Sequence, residues 1–205
     1  MNVFLAYALP LTALCAIVMF ARRMGGKPAA EPLESGPSFL DDVPEHLTLV
    51  PLDASFTAGP EIVGVCDGLA RVGFEDAGDY SVEGLPDTCF HMLVHPAHSL
   101  YAMVGCHGGE TWVEMWCAYP DGRRVTYTTL PGRGFAGRPG TTVVRMAGAS
   151  PLELFASICW ERPMGVFLPV DARLAASDFE KAYALWAAWR HAQDPAREVR
   201  ERTAA

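Results

Sequence analysis

Residues 87–130 read DTCFHMLVHPAHSLYAMVGCHGGETWVEMWCAYPDGRRVTYTTL, four apolar runs separated by three short turn clusters. This layout decides the fold. Residues 89–95 alternate, which puts Phe90, Met92 and Val94 on one strand face and Cys89, His91, Leu93 and His95 on the other. Pro96-Ala97-His98 leads into a strand over residues 100–106, and His107-Gly108-Gly109 turns into another over 111–119. Pro120-Asp121-Gly122 is the strongest hairpin signal: Pro presets the first turn residue and Gly accepts the positive φ that follows. A strand over 124–130 pairs back. Connections this short favour an antiparallel meander, because a parallel crossover needs a dozen or more residues. One sheet face is expected to be apolar and covered by helices, the other to be mixed.

Working towards the N-terminus, residues 80–83 form a short strand, and residues 60–72 read as a helix with Pro60 at its first position. Ile62, Val65, Cys66 and Leu69 make its apolar face, Gly73 stops it, and Phe74 is placed for the hydrophobic contact that follows a glycine cap. Residues 46–52 add a first strand. Towards the C-terminus, residues 141–147 add a last strand after a Gly-rich loop. Ser150-Pro151-Leu152-Glu153 is a capping box that starts a helix to about Trp160, ended by Pro163. Ser177-Asp178-Phe179-Glu180 reads as a second capping box, followed by a stripe of Phe179, Tyr183, Trp186 and Trp189. That stripe is expected to pack on the sheet. The helix ends near Asp194, which precedes Pro195.

Residues 3–20, VFLAYALPLTALCAIVMF, carry no charge. Eighteen helical residues span roughly 27 Å, close to the hydrocarbon thickness of a bilayer. No basic residue precedes the segment and no small-x-small cleavage site follows it, so it reads as an uncleaved anchor rather than a signal peptide. Arg22, Arg23 and Lys27 follow it, which places the C-terminal side in the cytoplasm. The expected location is therefore the bacterial inner membrane, single-pass, with a cytoplasmic C-terminal domain. The fold class expected is α+β: an antiparallel β-meander of five or six strands flanked by helices, with a single N-terminal transmembrane helix. Residues 1–23 are the anchor, 24–47 a Pro/Gly/acid-rich linker, 48–194 the α+β domain and 195–205 a charged tail.

Charge is unevenly spread. Residues 31–122 hold sixteen acids against the single base Arg71, while residues 123–205 hold twelve bases against eight acids. An acidic front half repels a phosphate backbone, so nucleic acid is not an expected partner. Of six cysteines, Cys15 lies in the apolar segment and five belong to the domain, with no CxxC spacing. That set does not form a disulfide framework and fits a reducing compartment.

The candidate chemistry centres on Cys89, His91, His95, Cys106 and His107. A metal site wants three or four such ligands converging, yet no CxxC or HExxH spacing accompanies them, so no catalytic, cofactor-binding or metal-ligating residue is assigned. Gly132-Arg133-Gly134-Phe135-Ala136-Gly137 matches GxGxxG by letter. A strand, not a helix, follows it, so it reads as a hairpin loop whose Arg133, with Arg138, could touch anionic headgroups. Glu110 and Glu114 flank Trp112 and read as surface acids. There is no GxSxG, and no Ser or Cys has a base at a telling spacing.

Gly73-Phe74, Gly78-Asp79-Tyr80, His95-Pro96 with Tyr101-Ala102, the aromatic strand from Trp112 to Trp116, and Tyr119-Pro120-Asp121-Gly122 with Thr126 and Thr128 form a recurring pattern. Over residues 69–160 it resembles a family of uncharacterised bacterial proteins, a resemblance that implies no activity, substrate or site. The function expected from the sequence is a membrane-anchored, non-enzymatic accessory or scaffold protein at the cytoplasmic membrane face, with a protein partner. The alternatives are a ligand- or lipid-sensing module using one sheet face, and a metal- or thiol-dependent enzyme around Cys89 and His91. A deep apolar pocket beside the meander would favour the sensing module.

Overall fold

Seven strands form one sheet whose spatial order is the chain order, in a computed structural model that describes residues 46–52, 59–130 and 138–193. They are β1 (Leu49–Pro51), β2 (Glu75–Val82), β3 (Leu85–His95), β4 (Leu100–His107), β5 (Glu110–Ala118), β6 (Arg124–Thr128) and β7 (Thr141–Arg145). Helix α1 (Pro60–Ala70) connects β1 to β2, and α2 (Pro151–Glu161) and α3 (Ala175–Ala192) close the chain. The α+β class is as expected. Among the described residues the sheet has seven strands rather than five or six, and the last pairing departs from a meander. Strands β1 to β6 pair antiparallel, but β6 and β7 pair parallel. Residues 129–140 connect them, about the dozen that a parallel connection requires, and residues 131–137 of that segment lie outside the described residues.

Strand β2 is longer than its expected four residues. Its Glu-Asp-Ala-Gly start looks like a turn, yet it pairs with β3 through a register shift between Asp76 and Gly78, where Gly78 has φ +105°. Only Tyr80 to Val82 is also flanked by β1, so the acidic half borders an edge, where charge discourages further strand addition.

Helix caps follow local chemistry. At α1, Phe74 N–H donates to Leu69 O at 3.2 Å across Gly73 (φ +102°), and both side chains are buried in one cluster. At α2 the capping box forms as read: Ser150 Oγ accepts from Glu153 N–H, and Glu153 Oε2 accepts from Ser150 N–H at 2.8 Å. The second capping box does not form. A 3₁₀ turn over Ala172–Leu174 runs directly into α3, so the chain is already helical at Ser177, whose hydroxyl donates to Leu174 O. Glu180 instead accepts from Leu49 N–H at 2.7 Å, tying β1 to α3.

Helices cover both faces of the sheet. Leu93, Val104, Val113 and Met115 pack with Leu69 of α1 and with Leu154 and Ile158 of α2. On the opposite side Phe90, Met92, Trp112 and Trp116 pack with Phe179 of α3. Trp116 stacks on Tyr101 at 5.5 Å, and burying such a ring contributes about 2–3 kcal/mol. Tyr101 Oη donates to Asp178 at 3.0 Å and accepts from Asp171 N–H, pinning the start of α3 over the sheet.

No helix among the described residues is long and apolar enough to cross a membrane. The expected span at residues 3–20, the linker up to residue 45, the glycine-rich motif at 132–137 and the tail at 195–205 lie outside the described residues.

Candidate functional site

Alternation on β5 places Trp112, Glu114 and Trp116 on the α3 side of the sheet. The hairpin at Tyr119-Pro120-Asp121-Gly122 sets Ala118 opposite Arg124, so Trp116 faces Thr126 and Glu114 faces Thr128. Four polar side chains of these two strands (Glu114, Arg124, Thr126 and Thr128) therefore share one face with the tryptophans. Above them lies a cavity of about 130 Å³ between sheet and helix. Phe90, Met103 and Trp112 wall it from the sheet, and Phe179, Ala182 and Trp186 from α3. Arg138 and Val143 border it from the β6–β7 connection and β7.

Gly105 makes room for one wall. It sits opposite Trp112 in the β4–β5 register, and a Cβ on it would lie 2.4 Å from the indole ring. The indole lies across the glycine, a use of strand glycine for close approach.

The polar end of the cavity is formed by Arg124 and Glu114. The Arg124 guanidinium stacks over the Trp116 ring at 4.6 Å, and its ion-pair partner Glu114 stands 3.9 Å away, beyond hydrogen-bonding distance. Both side chains are largely withdrawn from water, 15% and 16% exposed. Burial raises the Glu114 carboxyl against the pull of Arg124 and Arg145, and burial lowers Arg124 to about 10 against the support of Glu114. Both shifts have one cause: each charged form has lost water without gaining a full partner. Burial also lifts the Tyr183 hydroxyl at the cavity to about 12.

The residues singled out by sequence do not converge in this way. Cys89 and Cys106 face each other across β3 and β4, and burial lifts the Cys89 thiol to about 11, with Cys106 adding to the shift. His91 Nδ1 pairs with Asp79 at 2.7 Å, and His107 Nδ1 with the Thr88 hydroxyl at 2.7 Å. His95 lies at the far end of β3, its Nε2 donating to Val72 O at 3.1 Å. Among the described residues no group of three or more His, Cys, Asp or Glu is arranged to hold a metal ion.

A second cluster ties the β3–β4 turn to α2. His95 stacks on Phe155 at 5.3 Å, His98 Nδ1 lies 3.6 Å from Cys159 Sγ, and Arg162 donates to His98 O at 2.8 Å. Burial pushes His98 down to about 4, with His95 and Arg162 adding to the effect, so the imidazole is neutral. The Cys66 thiol is pushed up to about 12 by burial and then by Asp79, Asp76 and Asp67. Raised thiols of this kind are protonated at neutral pH and poor nucleophiles.

Glu114, read as a surface acid, is a cavity residue because its strand face is covered by α3. Arg124, Thr126 and Thr128 were missed. Hairpin arithmetic held the signal: counting back from the Asp-Gly turn puts Arg124, Thr126 and Thr128 opposite Ala118, Trp116 and Glu114. No protein-family model, no curated protein and no solved structure matches the chain.

Proposed function

We propose that this protein is a ligand-binding module, its α+β domain held at the cytoplasmic face of the inner membrane by the apolar segment at residues 3–20. One observation carries the reading. The cavity beneath α3 is walled by aromatic and aliphatic side chains and has a few convergent polar groups at one end, the usual make-up of a small-molecule site. Its size also bounds the ligand. A cavity of about 150 Å³ accepts benzene, so about 130 Å³ suits one ring or a short chain. The thiol- or metal-enzyme reading has less support, since Cys89 is turned to Cys106 and His91 to Asp79.

The test is occupancy. Protein purified from native membranes, denatured and analysed by mass spectrometry, should release one small molecule in near-stoichiometric amount. Ala182→Phe, which fills the cavity from the helix side, should remove it. No released molecule, together with no thermal stabilisation by any member of a library of small aromatic and aliphatic compounds, would end the proposal.

The scaffold reading keeps one specific support. Residues 160–168 hold Trp160, Met164 and Val166 out in solvent at 69%, 96% and 75% exposure. The strap is fixed in that pose: Tyr119 Oη donates to Pro163 O at 2.6 Å, and Phe167 packs between the Tyr119 ring and the Arg162 guanidinium. Apolar side chains that a rigid strap holds in water are what a protein partner covers. A photo-crosslinking residue at Met164 should give one discrete adduct in membranes, lost in Val166→Asp; no adduct would remove this reading.

A further inference from the structure

The cavity is an asymmetric receptor, and its charge specifies more than its size does. Three guanidiniums act on its polar end: Arg124 and Arg138 line it, and Arg145 pulls on Glu114 through space. Against them stand Glu114, which lines the cavity, and Asp178 at the start of α3, which acts on Arg124. Asp178 is already engaged, accepting from Tyr101 Oη at 3.0 Å and paired with Lys181 at 3.3 Å. Of the charged residues that line the cavity, two are guanidiniums, Arg124 and Arg138, and one is a carboxylate, Glu114, so positive charge is in excess where the ligand's head would sit. Arg124 and Arg138 also disfavour each other, which contributes to the lowered Arg124.

Geometry agrees with the charge count. The Arg124 guanidinium sits over the Trp116 ring, 4.6 Å from its centroid, and would lose that contact on swinging out to water. Its partner Glu114, at 3.9 Å, is too far to accept its hydrogen bonds. A guanidinium that lines the cavity, with its ion-pair carboxylate beyond hydrogen-bonding distance, can present two parallel N–H donors to a planar two-oxygen acceptor. Thr126, beside it on the same face, adds a hydroxyl.

We infer that the cavity takes a compact monocarboxylate, its ring or short chain lodged among Phe90, Met103, Trp112 and Trp186 and its carboxylate received by Arg124 with Arg138. This rests on the ligand-binding reading and sharpens it to a chemical class. Glu114 then acts on Arg124 through charge alone, from 3.9 Å. It also makes the head site poor for a second negative charge.

Calorimetric titration of the full chain in a zwitterionic detergent with three probes of nearly one shape tests it: benzoate, benzamide and benzylamine. Benzoate should bind at least about tenfold tighter than neutral benzamide, the size of effect expected for a charge-assisted bidentate pair. Benzylamine should be weakest. Arg124→Met should bring benzoate down to the benzamide level while leaving benzamide unchanged. Because that variant strands Glu114 and can fail to fold, Arg138→Gln at the rim is the second arm, expected to weaken benzoate several-fold and spare benzamide. Equal binding of benzoate and benzamide, or a preference for benzylamine, overturns the carboxylate inference and leaves the ligand-binding reading standing. Binding by none of the three overturns the cavity reading and this inference with it.

Discussion

Under α1 and α2 the sheet presents Leu93, Ala102, Val104, Val113, Met115 and Cys117, each at or below 3% exposure, and none of the six is charged. Under α3 the same strands present Phe90, Met103 and Trp112, but with them Glu114, Arg124 and a cavity of about 130 Å³. The difference lies in the helices as well as in the strands. Helix α2 supplies Leu154, Phe155 and Ile158, all buried, so its side of the sheet is filled. Helix α3 reads AASDFEKAYALWAAWRHA and faces the cavity with small Ala182 between Phe179 and Trp186. Its small side chain leaves space that larger residues would occupy. A dry void of this size would cost as much as about 3 kcal/mol, and less where water enters. One face of the sheet is sealed by close packing, and the other is open beside Arg124.

If the two faces differ in this way, truncations should separate them. Met115→Ala on the sealed face should cost about 2–5 kcal/mol in denaturant unfolding, while Met103→Ala, which widens space already present, should fall at the low end of that range or below. Equal losses would mean that α3 packs as tightly as α2. Gly105→Ala attacks the open face directly. Its Cβ collides with the Trp112 indole, so a loss of about 1–3 kcal/mol is expected, together with loss of benzoate binding as the wall shifts. Retained binding would show that Trp112 does not shape the site.

Acid should loosen the α2 side selectively. His98 is held at about 4, below its ordinary 6.5, by burial and by the neighbouring His95 and Arg162. A depressed histidine contributes stability that is fully present above about 6.5 and is lost as pH falls towards 4, because the unfolded chain takes up the proton first. Wild type should therefore lose about 1–2 kcal/mol more than His98→Gln between those pH values, after discounting for partial exposure. Parallel curves would place His98 in water. The smallest effect is expected at Ser150→Ala, about 1 kcal/mol from the lost capping box, with benzoate affinity unchanged because α2 does not touch the cavity.

Much of the fold was legible because it rests on local chemistry. The alternation at Phe90, Met92 and Val94, the Pro120-Asp121-Gly122 turn, Pro60 and the Ser150–Glu153 box each act within a few residues, and each formed. What was misread depends on distant packing. The 177–180 box failed because a preceding 3₁₀ turn, itself tied to the sheet through Tyr101 and Asp171, had already started the helix. The β6–β7 pairing went parallel because its connection is long enough to cross over, a fact visible in the spacing but outweighed by the glycine-rich look of the loop. The site was legible only in pieces. The eye goes to His91, Cys89 and Cys106, whose neighbours on the sheet satisfy one another. Glu114 and Arg124 carry no motif, and their meaning comes from α3 covering them from more than fifty residues further along the chain.

The most direct test of the central claim follows the tryptophans. With 5-fluorotryptophan incorporated into the full chain, the five residues give five ¹⁹F resonances, assigned by single Trp→Phe replacements. Trp112 and Trp186 line the cavity, while Trp160 stands in solvent at the end of α2. Saturating benzoate should shift the Trp112 and Trp186 signals and leave Trp160 in place. Unmoved Trp112 and Trp186 signals, or a Trp160 signal that moves with them, would contradict a ligand site beneath α3.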